Sequence, residues 1–239
     1  MAHRQECLCH KQDAGYTIRM STPHYKKVRK HLSDNCPVMK RVIDRAGPCL
    51  LVPKGDDPFT LLVRCVIGQQ ISSKAADSIF GRLVAAINQP SGAVPLAKLA
   101  KFTEAKYKAC GISGPKQRTL RAVIDHVTAN PELLPGIPTL DDDTIREQLV
   151  AIKGIGPWTV DMLLIFGLGR PDVLPVRDYG VKVAVKNLFN MRKLPDAARI
   201  TKVAKPWAPH RSVAMWYLWR SLEPVKVEEE PVRVVTAVG

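Results

Sequence analysis

Apolar residues recur at spacings of three and four along most of this 239-residue chain, the period of amphipathic helices. In residues 58–71 one helical face collects Phe59, Leu62, Val63, Val66 and Ile67. After Ser72, a good N-cap, the same spacing continues to Ile87. The strict alternation typical of half-buried strands is scarce, so we predict an all-α fold.

Glycine, proline and serine interrupt this period at intervals and so mark helix ends. The remaining segments with helical spacing are 37–46, 95–101, 103–109, 115–129, 142–151, 157–168, 178–189, 196–204 and 210–222. Residues 1–24 are polar and mixed, and residues 223–239 have the composition of an extended tail. We therefore expect about eleven short helices between two irregular ends.

The chain is strongly basic, since 36 Lys and Arg against 22 Asp and Glu give a net charge of +14. Hydrophobic residues make up 46% and the mean hydropathy is −0.08, which fits neither a disordered polycation nor a membrane protein. No apolar run reaches the roughly 18 residues of a membrane span, and the first residues do not resemble a signal peptide. We expect a cytoplasmic protein, nucleoid-associated if bacterial, whose partner is a polyanion such as nucleic acid.

Six cysteines lie along the chain without the spacing of a disulfide framework, which favours reduced thiols. The segment Cys7-Leu8-Cys9-His10 lacks a matching second half, so a mobile tail is favoured over a metal site. No cysteine follows Cys110, and this excludes a C-terminal iron–sulfur cluster held by four thiolates.

A tight turn is predicted where Lys153-Gly154-Ile155-Gly156 separates two helices before Pro157. Without side chains on the two glycines, backbone amides can face an anion at the positive end of the second helix dipole. Ile155 would anchor the turn in the core. The alternative is a helix corner that needs glycine only for its positive φ.

Residues 142–189 closely resemble the helix-hairpin-helix motif, Gly/Pro-rich loop and aspartate of the helix-hairpin-helix (HhH-GPD) DNA glycosylase superfamily. Within it, GIGPWT at 154–159 and LPVRDY at 174–179 resemble the alkylated-base branch, 3-methyladenine DNA glycosylase II. The blocks at 58–76 and 207–219 are similar to that branch's first core hairpin and last helix. The resemblance spans roughly residues 25–222, and residues 1–24 are too few for the N-terminal sheet domain of larger members.

This resemblance implies a two-lobed helical fold with a DNA cleft between the lobes. One lobe would be residues 58–170, with the helix-hairpin-helix at about 142–168. The other would join 25–57 to 171–222, leaving 1–24 as an extension and 223–239 as a tail.

Asp178 follows the Pro175 loop at a predicted helix start, where the helix dipole favours a carboxylate. On the residues alone, a plain N-cap is the favoured interpretation, because most aspartates at helix starts only cap the helix. The resemblance implies that Asp178 is the catalytic carboxylate, which stabilises an oxocarbenium-like sugar and orients the attacking water.

The resemblance also assigns a base pocket. Alkylation at N3 or N7 makes a purine cationic, and indole faces attract cations. In bifunctional members the position of Trp158 is a lysine that attacks the sugar, so we expect base removal without lyase activity. We expect Trp216 in the core. The expected pocket residues are Trp158, Trp219, Met162 and Tyr179.

Two further sets of DNA contacts follow from the resemblance. A wedge would fill the space of the extruded base, although glutamines at a helix junction can also act only as caps. The wedge residues are Gln70, flanked by Gln69 and Ile71. The phosphate contacts are Gly154, Gly156, Thr159, Lys153, Arg177, Lys182, Arg211 and Ser72. Arg177 departs from some members, which carry an acidic residue there.

No cofactor or catalytic metal is expected, although the backbone carbonyls of Val150, Ile152 and Ile155 can hold a structural sodium or potassium ion. The hypothesis is a monomeric, monofunctional glycosylase that removes 3-methyladenine and 7-methylguanine types of base from double-stranded DNA, with no membrane partner. Two alternatives stay open: a non-catalytic helix-hairpin-helix DNA-binding module, and a glycosylase for oxidised or deaminated bases.

Overall fold

A computed structural model describes residues 23–52, 57–89 and 91–223. The extension at 1–22, with Cys7-Leu8-Cys9-His10, and the tail from residue 224 lie outside the described residues. Throughout the three described ranges the regular structure is helical and contains no strand, which confirms the all-α prediction.

Thirteen α-helices follow one another in the described ranges. They are α1 Pro23–Asn35, α2 Pro37–Ala46, α3 Pro58–Gly68, α4 Ser73–Ile87, α5 Leu96–Ala100, α6 Glu104–Ala109, α7 Gly114–Ala129, α8 Leu133–Gly136, α9 Asp142–Val150, α10 Pro157–Met162, α11 Tyr179–Leu188, α12 Ala197–Ala204 and α13 Arg211–Arg220. Short 3-10 turns cover Ile137–Thr139 and Lys205–Trp207, and a π-helical turn covers Leu163–Gly167.

Polar side chains begin many of these helices, because the first N–H groups of a helix have no partner within it. Each of these caps accepts a hydrogen bond from a backbone N–H two or three residues later, as the sequence suggested for Ser72. The side-chain caps of this kind are Asp57, Ser72, Thr103, Asp141, Asp178 and Asp196.

The helices pack in two groups. In the first, α2 contacts α1 and α13, α13 also contacts α11, and the turn Lys205–Trp207 contacts both α1 and α12. In the second, α3 lies at the centre and contacts α4, α7, α10 and the π-helical turn. Trp207 and Trp216 are buried in the first group, as expected of Trp216.

Two helices are absent from the sequence prediction. Among the α1 residues whose burial is described, Val28 and Leu32 are the buried ones. This apolar stripe is short and lies among basic residues, so the sequence shows no clear helical period there. Helix α8 is a single turn, too short to show a period. The predicted helix 157–168 is α10 followed by the π-helical turn, and α3 ends at Gly68 rather than running on to residue 71. None of the described helices is both long and apolar enough to cross a membrane.

Candidate active site

Asp178 is buried at the start of α11, with 5% of its surface exposed. Its backbone N–H donates to the carbonyl of Pro175 at 2.9 Å, which closes the loop before the helix. Its Oδ1 accepts the N–H of Val181 at 2.7 Å, so the side chain caps α11 as the sequence predicts.

Two indoles complete the surroundings of this carboxylate. Trp219 on α13 donates its Nε1–H to Oδ1 of Asp178 at 3.0 Å, and Trp158 on α10 donates to Oδ2 at 2.7 Å. An ionised carboxylate only accepts hydrogen bonds, and all three of these partners are donors. The arrangement therefore suits a fixed negative charge beside the loop.

The close approach of Trp219 depends on Gly180, the second residue of α11. A Cβ atom at this position would lie 3.1 Å from Oδ1 of Asp178 and 3.2 Å from Cδ1 of Trp219. Both distances are shorter than ordinary van der Waals contact. A glycine thus lets the indole and the carboxylate meet over the first turn of the helix.

The predicted pocket residues differ in what they can offer a base. Trp219 is 5% exposed and stacks on Phe166, with ring centroids 5.5 Å apart and planes 28° from parallel. Met162 is buried and lines a cavity of about 50 Å³ together with Phe166 and residues of α3 and α4. Trp158 is half-buried and Tyr179 is 45% exposed, so these two aromatic rings are the accessible ones.

The turn between α9 and α10 has the predicted hairpin geometry. Gly154 has a φ of +93°, and a Cβ on it would overlap Oγ1 of Thr119, which fixes glycine here. Ile155 is buried with 4% exposed and anchors the hairpin in the core, as expected. Lys153 and Gly154 are exposed, so this backbone is accessible to a ligand.

An ion pair ties the two helices of the hairpin together. Nη2 of Arg146 on α9 lies 3.0 Å from Oδ1 of Asp161 on α10. Burial raises the pKa of the Asp161 carboxyl, and the Arg146 guanidinium opposes that shift. Both residues fall within the motif, but nothing in their spacing indicates that they pair.

The three predicted wedge residues face different surroundings. Gln70 is exposed and has a φ of +57°. The Nε2 of Gln69 donates to the Gly154 carbonyl at 3.1 Å and to Oγ1 of Thr159 at 3.0 Å. Ile71 is half-buried against the core. Gln70 alone points outward, and the Gln69 amide is held at the hairpin.

The residues predicted to contact phosphate differ in how exposed they are. Lys153, Gly154 and Arg177 are exposed, and Gly156 and Lys182 are half-buried. Ser72 is used as the cap of α4, with its Oγ 3.3 Å from the N–H of Ala75. The roles of these residues toward DNA stay predictions.

Two further side chains of this predicted set already have polar partners within the protein. Thr159 is 2% exposed, and its hydroxyl oxygen accepts a hydrogen bond from Nε2 of Gln69. Arg211 is bound to Asp172 by two short contacts, Nε to Oδ1 and Nη2 to Oδ2, both 2.7 Å. The Arg211 guanidinium lowers the pKa of the Asp172 carboxyl, so the pair is a fixed link between the loop before Asp178 and the start of α13.

The expected ion site consists of backbone carbonyls only. The Ile152 carbonyl oxygen accepts a hydrogen bond from the N–H of Ile155 at 3.0 Å, so one of its lone pairs is already used. Within the described ranges, no group of three or more His, Cys, Asp or Glu side chains is placed to hold a metal. The structural sodium or potassium ion stays a prediction.

Comparison with known proteins agrees with this geometry. Residues 63–209 match the HhH-GPD superfamily of base excision DNA repair proteins. DNA-3-methyladenine glycosylase 1 of Schizosaccharomyces pombe is 33% identical over 202 residues, 82% of this chain and 86% of that protein. Putative DNA-3-methyladenine glycosylase YfjP of Bacillus subtilis is 33% identical over 169 residues, 69% of this chain and 59% of that protein.

A solved structure gives the same result for the fold. The 3-methyladenine DNA glycosylase of Schizosaccharomyces pombe, solved in complex with abasic DNA, superimposes with a TM-score of 0.74 at 31% identity. The match covers 82% of this chain and 96% of that one. With the hairpin, the Gly/Pro-rich loop and Asp178 all in place, the chain belongs to the HhH-GPD superfamily of base excision DNA repair proteins.

Proposed function

We propose that this protein is a monofunctional DNA glycosylase that removes alkylated, cationic purines from double-stranded DNA. The observation that carries the proposal is the Asp178 carboxylate, buried and held by the N–H groups of Trp158 and Trp219. A non-catalytic DNA-binding module has no use for a buried carboxylate fixed in this way. The names of the curated relatives, DNA-3-methyladenine glycosylases, support the same reaction.

The reaction breaks the bond between C1′ of the deoxyribose and a nitrogen of the base. A base alkylated at N3 or N7 takes the bonding electron pair with it and leaves uncharged. The sugar becomes oxocarbenium-like, and the negative charge of Asp178 stabilises it. Water then adds to C1′ and loses a proton, for which Asp178 is the acceptor and orienting group. The products are the free base and an abasic site.

Selection of cationic bases fits the aromatic surroundings of the carboxylate. Trp158 and Tyr179 present accessible rings next to Asp178, and such rings attract cations by about 0.5–2 kcal/mol. The indole N–H of Trp158 is already bound to the carboxylate, so the ring face is what Trp158 offers a base. A cationic base is a good leaving group and needs little protonation.

DNA is held, in this proposal, at the exposed backbone of the hairpin and by Lys153, Arg177 and Lys182. The exposed Gln70 enters the duplex where the base has left. The protein acts as a monomer. Its cytoplasmic location stays a prediction from the sequence.

The test is to identify, by mass spectrometry, the bases that the protein releases from methylated DNA. Release of 3-methyladenine and 7-methylguanine is expected, and Asp178→Asn is expected to slow it by about 10²- to 10³-fold because the fixed charge is lost. An Asp178→Asn protein that works at the wild-type rate would refute the assignment.

Two further measurements separate the alternatives. In competition between duplexes that carry hypoxanthine, 8-oxoguanine or 1,N6-ethenoadenine, a strong preference for neutral oxidised bases would contradict selection by cation–π contact. Borohydride is expected to trap no covalent protein–DNA adduct, because a tryptophan stands at position 158 instead of an amine nucleophile. A protein that binds DNA but releases no base would be the non-catalytic module.

A further inference from the structure

The side chain of Gln69 connects two parts of the DNA-facing surface. It lies in the turn between α3 and α4, and its Nε2 reaches the Gly154 carbonyl and Oγ1 of Thr159 at 3.1 and 3.0 Å. Both acceptors belong to the helix-hairpin-helix, 85 and 90 residues further along the chain. The next residue, Gln70, is exposed. The two glutamines therefore do different things: one faces the hairpin and the other faces outward.

The backbone of Gln70 is in the left-handed region, with φ +57°, at the position after a helix end where glycine is usual. A longer side chain keeps such a conformation only where neighbouring contacts fix it. Contacts on both sides of Gln70 do so. Before it, Nζ of Lys116 donates to the Ile67 carbonyl at 2.7 Å, and after it Ser72 caps α4. The contact closest to Gln70 in the chain is the hydrogen bond from the Gln69 side-chain amide to the hairpin.

Thr159, which accepts a hydrogen bond from the Gln69 amide, lies next to a residue that contacts Asp178. Thr159 and Trp158 are neighbours in the first turn of α10. Oγ1 of Thr159 accepts a hydrogen bond from the Gln69 amide, and Nε1 of Trp158 donates one to Oδ2 of Asp178 at 2.7 Å. One short turn of helix thus contacts both the turn that carries Gln70 and the carboxylate.

We propose that Gln69 is a positioning residue that holds the Gln70 turn on the first turn of α10. Insertion of Gln70 into the duplex then occurs in register with Trp158 and Asp178 at the extruded nucleotide. This inference rests on the proposed function and deepens it, because it assigns the control of base extrusion to a residue that touches neither the base nor the sugar.

A positioning role for Gln69 affects base release from a duplex but not from a single strand. In a duplex the extruded base leaves a gap in the stack, and a misplaced Gln70 fails to fill it. A single strand has no partner strand and needs no wedge. If the loss of the Gln69 side chain acts through Gln70, it slows base release from the duplex only. General damage to the fold slows release from both substrates.

The experiment compares single-turnover release of 7-methylguanine from a duplex and from the same oligonucleotide as a single strand. Gln69→Ala is expected to slow release from the duplex about tenfold, the size of one or two lost hydrogen bonds, and to leave the single strand unchanged. Gln69→Glu, which places an acceptor opposite the Gly154 carbonyl, is expected to be slower still on the duplex. The matched control is Gln89→Ala, a half-buried glutamine at the other end of α4, with no expected effect.

A double-mutant comparison tests the route through Gln70. If Gln69 acts by placing Gln70, adding Gln69→Ala to Gln70→Ala has no further effect on the duplex. Effects that multiply, or equal slowing of both substrates by Gln69→Ala, would overturn the proposal.

A readout without base release separates this inference from the proposed function. Fluorescence of 2-aminopurine beside an abasic site rises when the stack opens, and we expect Gln69→Ala and Gln70→Ala to reduce that rise equally. Unchanged fluorescence in Gln69→Ala alongside a loss in Gln70→Ala would refute the positioning role. A wild-type protein that gives the fluorescence change but releases no alkylated base would refute the proposed function instead.

Discussion

Trp158 donates its indole N–H to Oδ2 of Asp178 across 2.7 Å. The two residues stand on different helices, and Trp219 approaches the other carboxylate oxygen from a third. This chain thus has, at position 158, a residue that orients the carboxylate, where the family resemblance implies a nucleophilic lysine in bifunctional members. The N–H of Trp158 fixes Asp178, and in the proposed function its ring face is the part that meets a base.

Trp158→Phe separates those two roles, because phenylalanine keeps an aromatic face and loses the N–H. A hydrogen bond to a charged group contributes about 1.5–3 kcal/mol, so the excision rate at saturation is expected to fall roughly 10- to 100-fold. Affinity for DNA is expected to stay the same. Single-turnover kinetics and a binding titration measure the two quantities, and Trp216→Phe is the control in the core. A fall in affinity without a fall in rate would assign Trp158 to binding alone.

Gly180→Ala tests the close packing between Trp219 and Asp178. The new methyl group would lie 3.1 Å from Oδ1 and 3.2 Å from Cδ1 of the indole, so one of them has to move by a few tenths of an ångström. We expect about a tenfold lower excision rate, because a small displacement of a catalytic group is costly.

The control is Gly81→Ala in α4, where the added methyl group meets nothing within 4 Å. Alanine is the better helix former by roughly 1 kcal/mol, so this variant is expected to melt at a higher temperature with an unchanged rate. If Gly180→Ala works as fast as Gly81→Ala, the contact between Trp219 and Asp178 is not needed for catalysis.

Local features of the site could be predicted from the sequence because they depend on neighbouring residues. Gly154 and Pro157 mark the hairpin, and Asp178 stands where a helix cap belongs. The resemblance to known glycosylases added the prediction that Asp178 acts in catalysis.

The sequence does not show which side chains from distant parts of the chain point toward each other in the fold. Nothing in the local pattern shows that the Trp158 and Trp219 N–H groups converge on Asp178, because they lie 20 and 41 residues from it. The pairing of Arg211 with Asp172 is hidden for the same reason, and on charge alone Arg211 is a good phosphate ligand. Lone cations in a basic chain give no indication of which ones have an acidic partner.

The salt dependence of DNA binding distinguishes these two kinds of cation. Lys153 is exposed at the hairpin, and Lys153→Gln is expected to reduce the slope of log affinity against log salt by about 1. Arg211→Gln removes a cation already neutralised by Asp172, so the slope is expected to stay the same while the protein unfolds more easily. Fluorescence anisotropy across a salt series measures the slope. An equal reduction by Arg211→Gln would show that Arg211 contacts phosphate despite its pairing with Asp172.

The Arg211 pair also predicts how stability depends on pH. Arg211 holds the pKa of the Asp172 carboxyl below its ordinary value of 3.8, so the ionised form is favoured by folding. The pair therefore adds stability above pH 3.8, and this is lost as the pH falls through the lower pKa of the folded protein. Asp172→Asn keeps an acceptor for the Arg211 backbone N–H, but it removes the charge and replaces Oδ2, which accepts from Nη2 of Arg211, by an NH2 donor.

Near neutral pH, Asp172→Asn is expected to lower the free energy of unfolding by about 1–2 kcal/mol, since both side chains are mostly shielded from solvent. The difference from the wild type is expected to shrink as the pH drops below 3.8, because protonation then removes the same charge from the wild type. Urea unfolding at a series of pH values measures it. Asp44→Asn breaks an exposed pair with Lys40 and is expected to cost little. A difference that persists undiminished in acid would mean that Asp172 stabilises the fold by its shape and not by its charge.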